Sequence, residues 1–314
     1  MKIILAGGRG HVGAVLRRAF ATHEIAVLSR SAAPLPGATR VVTWDASTLG
    51  AWTAELDGAD AVINLAGRSV DCRYTSRNLA TMLESRLRST TVIGQAIARC
   101  EKPPRVWLQA ATATLYAHRF DAPNDEATGL LGGDEPGAPP KWNASIAIAR
   151  AWEEAVLQAD TPHTRQVILR SAMIMSRDPG SVFDVLAKLA RRGLGGHMGN
   201  GRQYVSWIHE TDFARAIAFL IEHEELKGAV NLCSPHPVPN AAFMRDLRAA
   251  LGRRFGLPAP AWLLELGTWA LRTESELVLK SRRVIPGRLL DAGFTFRFPL
   301  WADAARDLAS SHQL

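Results

Sequence analysis

The chain has 314 residues, 47% of them hydrophobic, and carries 37 Lys and Arg against 30 Asp and Glu for a net charge of +7. That is enough apolar material for one large core or two smaller ones, and it excludes a disordered or low-complexity chain. No apolar run approaches the roughly 20 residues of a membrane span, and the three cysteines, Cys72, Cys100 and Cys233, show no C-x-x-C pair or clustered His partners.

These features predict a cytoplasmic protein with reduced cysteines, no metal site and no membrane partner. The first residues enter a strand directly, without the charged, apolar and cleavage regions of a leader. The only local basic cluster, Lys280, Arg282, Arg283 and Arg288, comes with no aromatic platform or nucleic-acid reading motif. It reads as a solvated face, and nucleic acid is not expected as a partner.

In chain order, the β-rich runs KIILAG, EIAVLS, RVVTW, DAVINLAG and RVWLQAA alternate with helical patterns, the signature of a parallel sheet covered on both faces. In the first helix Val12, Val15, Leu16, Ala19 and Phe20 share one face while Arg17 and Arg18 point away. A longer helix over about 78–100 is marked by Leu79, Met82, Leu83, Leu87, Val92, Ile93 and Ile97 and stopped by Pro103 and Pro104. The Gly, Pro and Asp-rich stretch 121–140 reads as a surface loop, either an insertion or a lid. A helix over 144–159 and the strand RQVILRS extend the same sheet.

From residue 179 the pattern is irregular. Helices are expected at 182–192, 214–221, 241–251 and 261–271, with a strand YVSWI following the Gly-rich segment GLGGHMGNGRQ. The fold expected is α/β, a Rossmann-type doubly wound parallel sheet over 1–178. A smaller mixed C-terminal substrate lobe follows over 179–314, with some elements returning to the main sheet.

The motif that carries the chemistry is the turn after the first strand, where Gly7, Gly10 and Gly13 are spaced G-x-x-G-x-x-G, with His11 and Val12 inside the spacing and opening the helix. Glycines permit a tight turn and close approach of the backbone to a pyrophosphate, and the helix N-terminus offers free N–H groups to it. The second strand ends in Leu28, Ser29 and Arg30. A NAD-preferring site carries an acid there for the ribose hydroxyls, whereas arginine suits a 2′-phosphate, so NADP(H) is the expected cofactor. Asp45 after the third strand either reaches the adenine or caps the next helix. Leu65, Ala66 and Gly67 after the fourth let the backbone pass close to the adenine ribose, or simply pack.

The glycine spacing, NLAG after the fourth strand and ATATLY after the fifth resemble the short-chain dehydrogenase/reductase superfamily, in its extended branch of nucleotide-sugar epimerases and dehydratases. The segments ESRLRSTTVIGQAI, GNGRQYVSWIHETDFARAIAFL with GAVNLCSPHPV, and RRVIPGRLLDAGFTFRFP narrow the resemblance to the atypical group of epimerase family proteins, over nearly the whole chain. It implies that Ser29 and Arg30 lie on the adenosine phosphate, Leu65 and Ala66 on the ribose, Arg86 near the cofactor and Met173 by the nicotinamide. It also implies a possible homodimer.

The superfamily's chemistry rests on a hydroxyl after the fifth strand and a Tyr-x-x-x-Lys pair on the next helix. Thr112 matches the hydroxyl, but the Tyr and Lys positions hold Ser145 and Ala149. Of the three tyrosines, Tyr116 is expected at the mouth of the site as the best substitute. His209 and Asp212 are either acid–base groups or structural anchors, Arg202 and Gln203 either bind an acidic substrate or form a turn, and Trp142 either lines the pocket or packs. Two functions follow from these readings. One is an NADP(H)-dependent oxidoreductase or epimerase-like enzyme on an unknown small molecule, with Thr112 and Tyr116 in the chemistry. The other is an NADP(H)-sensing regulatory or scaffold protein without turnover.

Overall fold

The apolar runs assemble into a seven-stranded, all-parallel sheet in the computed structural model, which describes residues 1–37, 39–133, 139, 142–264 and 274–310. In chain order, β1 (Lys2–Ala6) leads into α1 (His11–Ala19), then β2 (Glu24–Ser29), β3 (Arg40–Thr43) and β4 (Ala61–Asn64). The long α2 (Ser76–Ile97) precedes β5 (Val106–Thr112), and α3 (Asn143–Leu157) precedes β6 (Arg165–Ser171). Helix α2 starts where the Thr75 side chain accepts from the Asn78 N–H, an N-cap that the apolar spacing over 78–100 does not reveal.

Beyond these come β7 (Met173–Met175), α4 (Val182–Arg191), β8 (Tyr204–Val205), β9 (Trp207–His209), α5 (Glu210–Glu222), β10 (Gly228–Leu232), β11 (Val238–Pro239) and α6 (Asn240–Ala250). Short helices at Glu276–Leu279 and Gly287–Asp291 and a terminal one at Trp301–Ser310 complete the chain. Most of the helix expected at 261–271 falls on 265–273, outside the described residues.

The sheet order is β10-β6-β5-β4-β1-β2-β3. Ile3, Ile4, Leu5 and Ala6 of β1 are all fully buried, because β1 is central and both its faces are covered. Its alternate residues split between two cores. Ile3 and Leu5 pack with α1 and α5 through Leu16, Phe213 and Ile217, while Ile4 and Ala6 pack with α2 and α3 through Val92, Ile93 and Val156. The order reverses between β1 and β4, which opens a crevice at the carboxyl ends of these strands.

The C-terminal half does not stand apart. Strand β10 pairs with β6 in the main sheet, and Leu289 and Phe294 join the α1-side core. A third core of its own gathers Phe183, Trp207, Phe243, Met244 and Trp301, with Trp301 stacked on Phe243 at 4.0 Å.

Two expectations are corrected here. YVSWI is not one strand, since β8 pairs with β11 and β9 pairs with β7 in separate small sheets. The break falls on Ser206, whose hydroxyl donates to the Arg282 carbonyl at 2.7 Å and accepts from the Val284 N–H at 2.9 Å. Nor is the loop beginning at residue 121 a lid over its described part. Asn124 is fully buried, with its N–H on the Arg283 carbonyl at 2.7 Å, and Glu126 accepts from the Asn231 N–H at 2.7 Å. Residues 134–138, 140 and 141 of that loop lie outside the described residues.

Candidate functional site

The crevice at the ends of β1, β2 and β4 is a cleft of about 660 Å3. Gly7 sits at its floor with φ +76°, and a Cβ there would lie 2.8 Å from both the N and Cα of Ala66. Only glycine lets β1 turn so close to the end of β4. Gly10 caps α1 with no side-chain bond, leaving the helix N-terminus available to an anion. A Cβ at Gly13 would come within 2.2 Å of the Gly8 carbonyl, so this glycine brings the helix down onto the turn.

The cleft unites Gly7, Gly10, Ser29, Arg30, Asp45, Leu65, Ala66 and Gly67, residues drawn from four separate segments of the sequence. It also contains residues that the sequence reading missed. Arg9 in the glycine turn donates from Nε to the Ser29 hydroxyl at 2.7 Å and from its terminal nitrogen to the carbonyls of Ser31 and Ala33. Arg9 and Arg30 therefore both stand beside Ser29, and Arg68 and Arg88 line the cleft as well. Asp45 is the acidic residue of the lining. Its carboxylate accepts from the Ser47 and Thr48 N–H groups and the Thr48 hydroxyl, at 2.8, 2.8 and 2.6 Å. The Thr48 and Ser47 bonds hold it well below the usual carboxylate range. The carboxylate thus caps its own turn, and the cleft is electropositive.

His11, Arg86 and Met173 are placed elsewhere. The His11 ring lies 3.5 Å from Asp178, off the lining of the cleft. Val12 packs against the α1-side core. Met173 lines an apolar cavity with Leu186, Phe243 and Met244. Arg86 is buried, donates to the carbonyls of Arg68 and Met82, and stacks on Trp152 with its guanidinium carbon 4.8 Å from the ring centre.

Arg86 faces a second, smaller cavity of about 90 Å3, lined also by Thr112, Thr114, Ser145, Ala149 and Tyr74. Ser145 and Ala149 of α3 and Thr112 at the end of β5 therefore do converge. What fills the space opposite them comes from the C-terminal segment. Glu276, 1% exposed, accepts from the Ser145 hydroxyl at 2.7 Å through Oε1. Burial pushes its carboxyl up from the ordinary glutamate value, against the pull of Arg282, Ser145 and Lys280.

Lys280 donates to the Thr114 carbonyl at 2.9 Å, and Arg282 to the Thr114 hydroxyl at 3.2 Å. The expectation that Lys280 and Arg282 belong to a solvated face is corrected: they are 2% and 9% exposed and dock the segment onto the end of β5. No local pattern marks Glu276, since the Ser145 hydroxyl that fixes its carboxyl lies 131 residues upstream.

Tyr116 is not at the mouth of either cavity. It is 2% exposed, donates to Asn231 Oδ1 at 3.0 Å and accepts from Arg170 at 2.9 Å. Arg170 in turn makes a two-pronged ion pair with Glu153, at 2.8 and 2.7 Å. Burial raises the phenol's pKa despite Arg170, so it is a poor proton carrier near neutrality.

His209 and Asp212 are anchors. The His209 ring accepts from the Thr211 N–H at 3.0 Å and meets Asp307 at 3.2 Å. The fully buried Asp212 accepts from the N–H groups of Arg297 and Phe298 at 2.8 and 2.7 Å. Gln203 bonds the Met198 and Val278 carbonyls within the fold. Arg202 is exposed, and Trp142 packs edge-on to His118.

Known proteins resemble this chain over nearly its whole length. Residues 3–233 match the NAD dependent epimerase/dehydratase family, and residues 259–308 match a domain of unknown function, DUF1731. The epimerase family protein SDR39U1 of Bos taurus is 31% identical over 98% of this chain and 99% of its own. The epimerase family protein ML0860 of Mycobacterium leprae is 31% identical over 94% and 91%. A crystal structure of human epimerase family protein SDR39U1 with NADPH is 29% identical and superposes with a TM-score of 0.84 over 99% of both chains. A nucleoside-diphosphate sugar epimerase from Corynebacterium glutamicum is 26% identical, with a TM-score of 0.74 over 98% of this chain and 58% of that one. This chain belongs to the NAD dependent epimerase/dehydratase family, and the DUF1731 segment behind that domain is the part that sends Glu276 into the second cavity.

Proposed function

We propose that the chain binds NADP(H) in the arginine-lined cleft and is an oxidoreductase or epimerase-like enzyme acting on a small carbonyl or alcohol. The observation that carries the cofactor choice is the end of β2, where Arg9 and Arg30 flank Ser29 and the lining carboxylate, Asp45, is held in its own turn. Two guanidiniums there favour a 2′-phosphate over free ribose hydroxyls. The human relative solved with NADPH supports the same reading. The glycine turn fits a pyrophosphate, because any side chain at Gly7 would meet Ala66.

When bound, NADP(H) supplies or accepts a hydride. Thr112 lines the cavity next to the Ser145 position and holds the substrate oxygen there. Arg86, stacked on Trp152, lines the same cavity. The test is a search for NADPH oxidation with a panel of aldehydes and ketones, repeated with Thr112→Ala. Turnover that falls in the variant while NADPH binding is kept supports the enzyme.

Ser145 and Ala149, at the positions of the usual pair, favour a second reading, an NADP(H) sensor without turnover. NADPH binding with no oxidation by any of the probes selects that reading.

A further inference from the structure

We propose that Glu276 is the proton donor and acceptor of the second cavity, and that the C-terminal segment thereby supplies the acid–base group that positions 145 and 149 lack. This rests on the oxidoreductase reading above. Three observations point the same way. Glu276 lines the same small cavity as Thr112 and Ser145. Its side chain is almost fully buried, yet Oε2 has no hydrogen-bond partner among the described residues. A carboxyl oxygen left bare inside a fold is costly unless it serves a ligand or carries a proton. Finally, its other oxygen is held by Ser145, the residue standing where the family's tyrosine is expected. The serine is too short to reach a substrate as a tyrosine would, but it is the right length to fix a carboxyl in that place.

In carbonyl reduction the protonated carboxyl gives its proton to the carbonyl oxygen while the carbonyl carbon receives hydride from the dihydronicotinamide. The C=O π bond is replaced by one C–H and one O–H bond, the nicotinamide is oxidised, and Glu276 is left as the carboxylate. Oxidation of the alcohol runs the same transfers backwards. Ser145 is a positioning residue: it donates to Oε1 and so leaves Oε2 to carry the transferred proton.

The charged and titratable groups around the carboxyl are Lys280, with Nζ 3.9 Å from Oε1, together with Arg282 and Glu274 of the same segment. Tyr74 and Arg86 face it from α2 and the loop before it. Burial of the Glu276 carboxyl, with Glu274 nearby, favours the protonated, donating form against the pull of Arg282, Ser145 and Lys280.

The experiment compares wild type, Glu276→Gln, Glu276→Asp and Ser145→Ala as full chains. Each is measured for NADPH affinity, for NADPH oxidation with benzaldehyde, cyclohexanone and pyruvate, and for the infrared band of a protonated carboxyl across a pH titration. NADPH affinity is expected to stay within about twofold in all four proteins, which also shows that they fold. Glu276→Gln loses roughly 10²–10⁴-fold in turnover, and Glu276→Asp recovers part of it. The wild-type infrared band titrates above the ordinary glutamate range and is missing in Glu276→Gln. Ser145→Ala removes a bond that favours the carboxylate, so the loss of reduction rate at alkaline pH moves to higher pH.

Wild-type turnover that Glu276→Gln matches within about threefold overturns the proposal and leaves the oxidoreductase reading standing. An infrared band at ordinary glutamate values, or a pH profile unmoved in Ser145→Ala, overturns it as well. Wild type that binds NADPH and oxidises it with none of the probes overturns both.

Discussion

Replacing Tyr116 with phenylalanine removes one buried hydroxyl and nothing else, which separates a structural tyrosine from a catalytic one. The hydroxyl stands between Asn231 Oδ1 at 3.0 Å and an Arg170 N–H at 2.9 Å, so the change strands an acceptor and a donor in the interior at once. Asn231 keeps its bond to the Ile285 carbonyl, and Arg170 keeps Glu153 and its place 5.2 Å from the ring centre. A net loss of about 1–3 kcal/mol follows for the unpaired groups. At roughly 2 °C per kcal/mol for a domain of this size class, Tm falls by about 2–6 °C. The ring still fills its place, so no cavity adds to the cost. The assay is a thermal melt together with NADPH titration and turnover on whichever carbonyl is reduced. The account predicts a lower Tm with affinity and turnover within about twofold of wild type. An unchanged Tm with turnover reduced more than tenfold refutes the reasoning and returns Tyr116 to the chemistry.

Gly7→Ala forces a Cβ against the Ala66 backbone at 2.8 Å from a residue at φ +76°. The left-handed conformation and the overpacking together cost roughly 2–5 kcal/mol. Denaturant melts should show that loss, and NADPH affinity should drop more than tenfold as the turn moves. His209 is buried, and burial lowers its pKa below 6.5 despite Asp307 nearby. The folded state therefore holds it neutral. Its stabilising contribution is present above the unfolded value and is lost as pH falls through the depressed folded one. Wild type should lose stability as pH falls below about 6.5, and His209→Gln should be less stable at neutral pH with a flatter acid slope, as read from denaturation midpoints.

What the sequence shows of this protein is what is local. The glycine turn, the amphipathic face of α1 and the β2 end at Ser29 and Arg30 each sit within a few residues, and local spacing reports them directly. YVSWI reads as one strand because nothing inside it signals a break. The break at Ser206 is made by Arg282 and Val284, more than 70 residues downstream.

Tyr116 looks available because it follows β5. Its burial depends on Asn231 of β10, a strand whose return to the main sheet cannot be counted from spacing. Lys280 reads as part of a basic patch and nothing local singles out Glu276, since only the docking of the C-terminal segment on Thr114 and Ser145 turns them inward. Arg9 is legible in principle, being inside the turn, but its reach across to Ser29 depends on how β1 and β2 pair.

The central claim is that the cleft selects the 2′-phosphate, and titration of the wild type with NADPH and NADH at one ionic strength tests it most directly, with Arg30→Ala alongside. A charge-assisted contact to the phosphate contributes about 1.5–3 kcal/mol, of which an exposed arginine such as Arg30 delivers the lower part. The account predicts that wild type binds NADPH at least about tenfold more tightly than NADH and that Arg30→Ala narrows the gap by weakening NADPH alone. Equal affinities in the wild type contradict it.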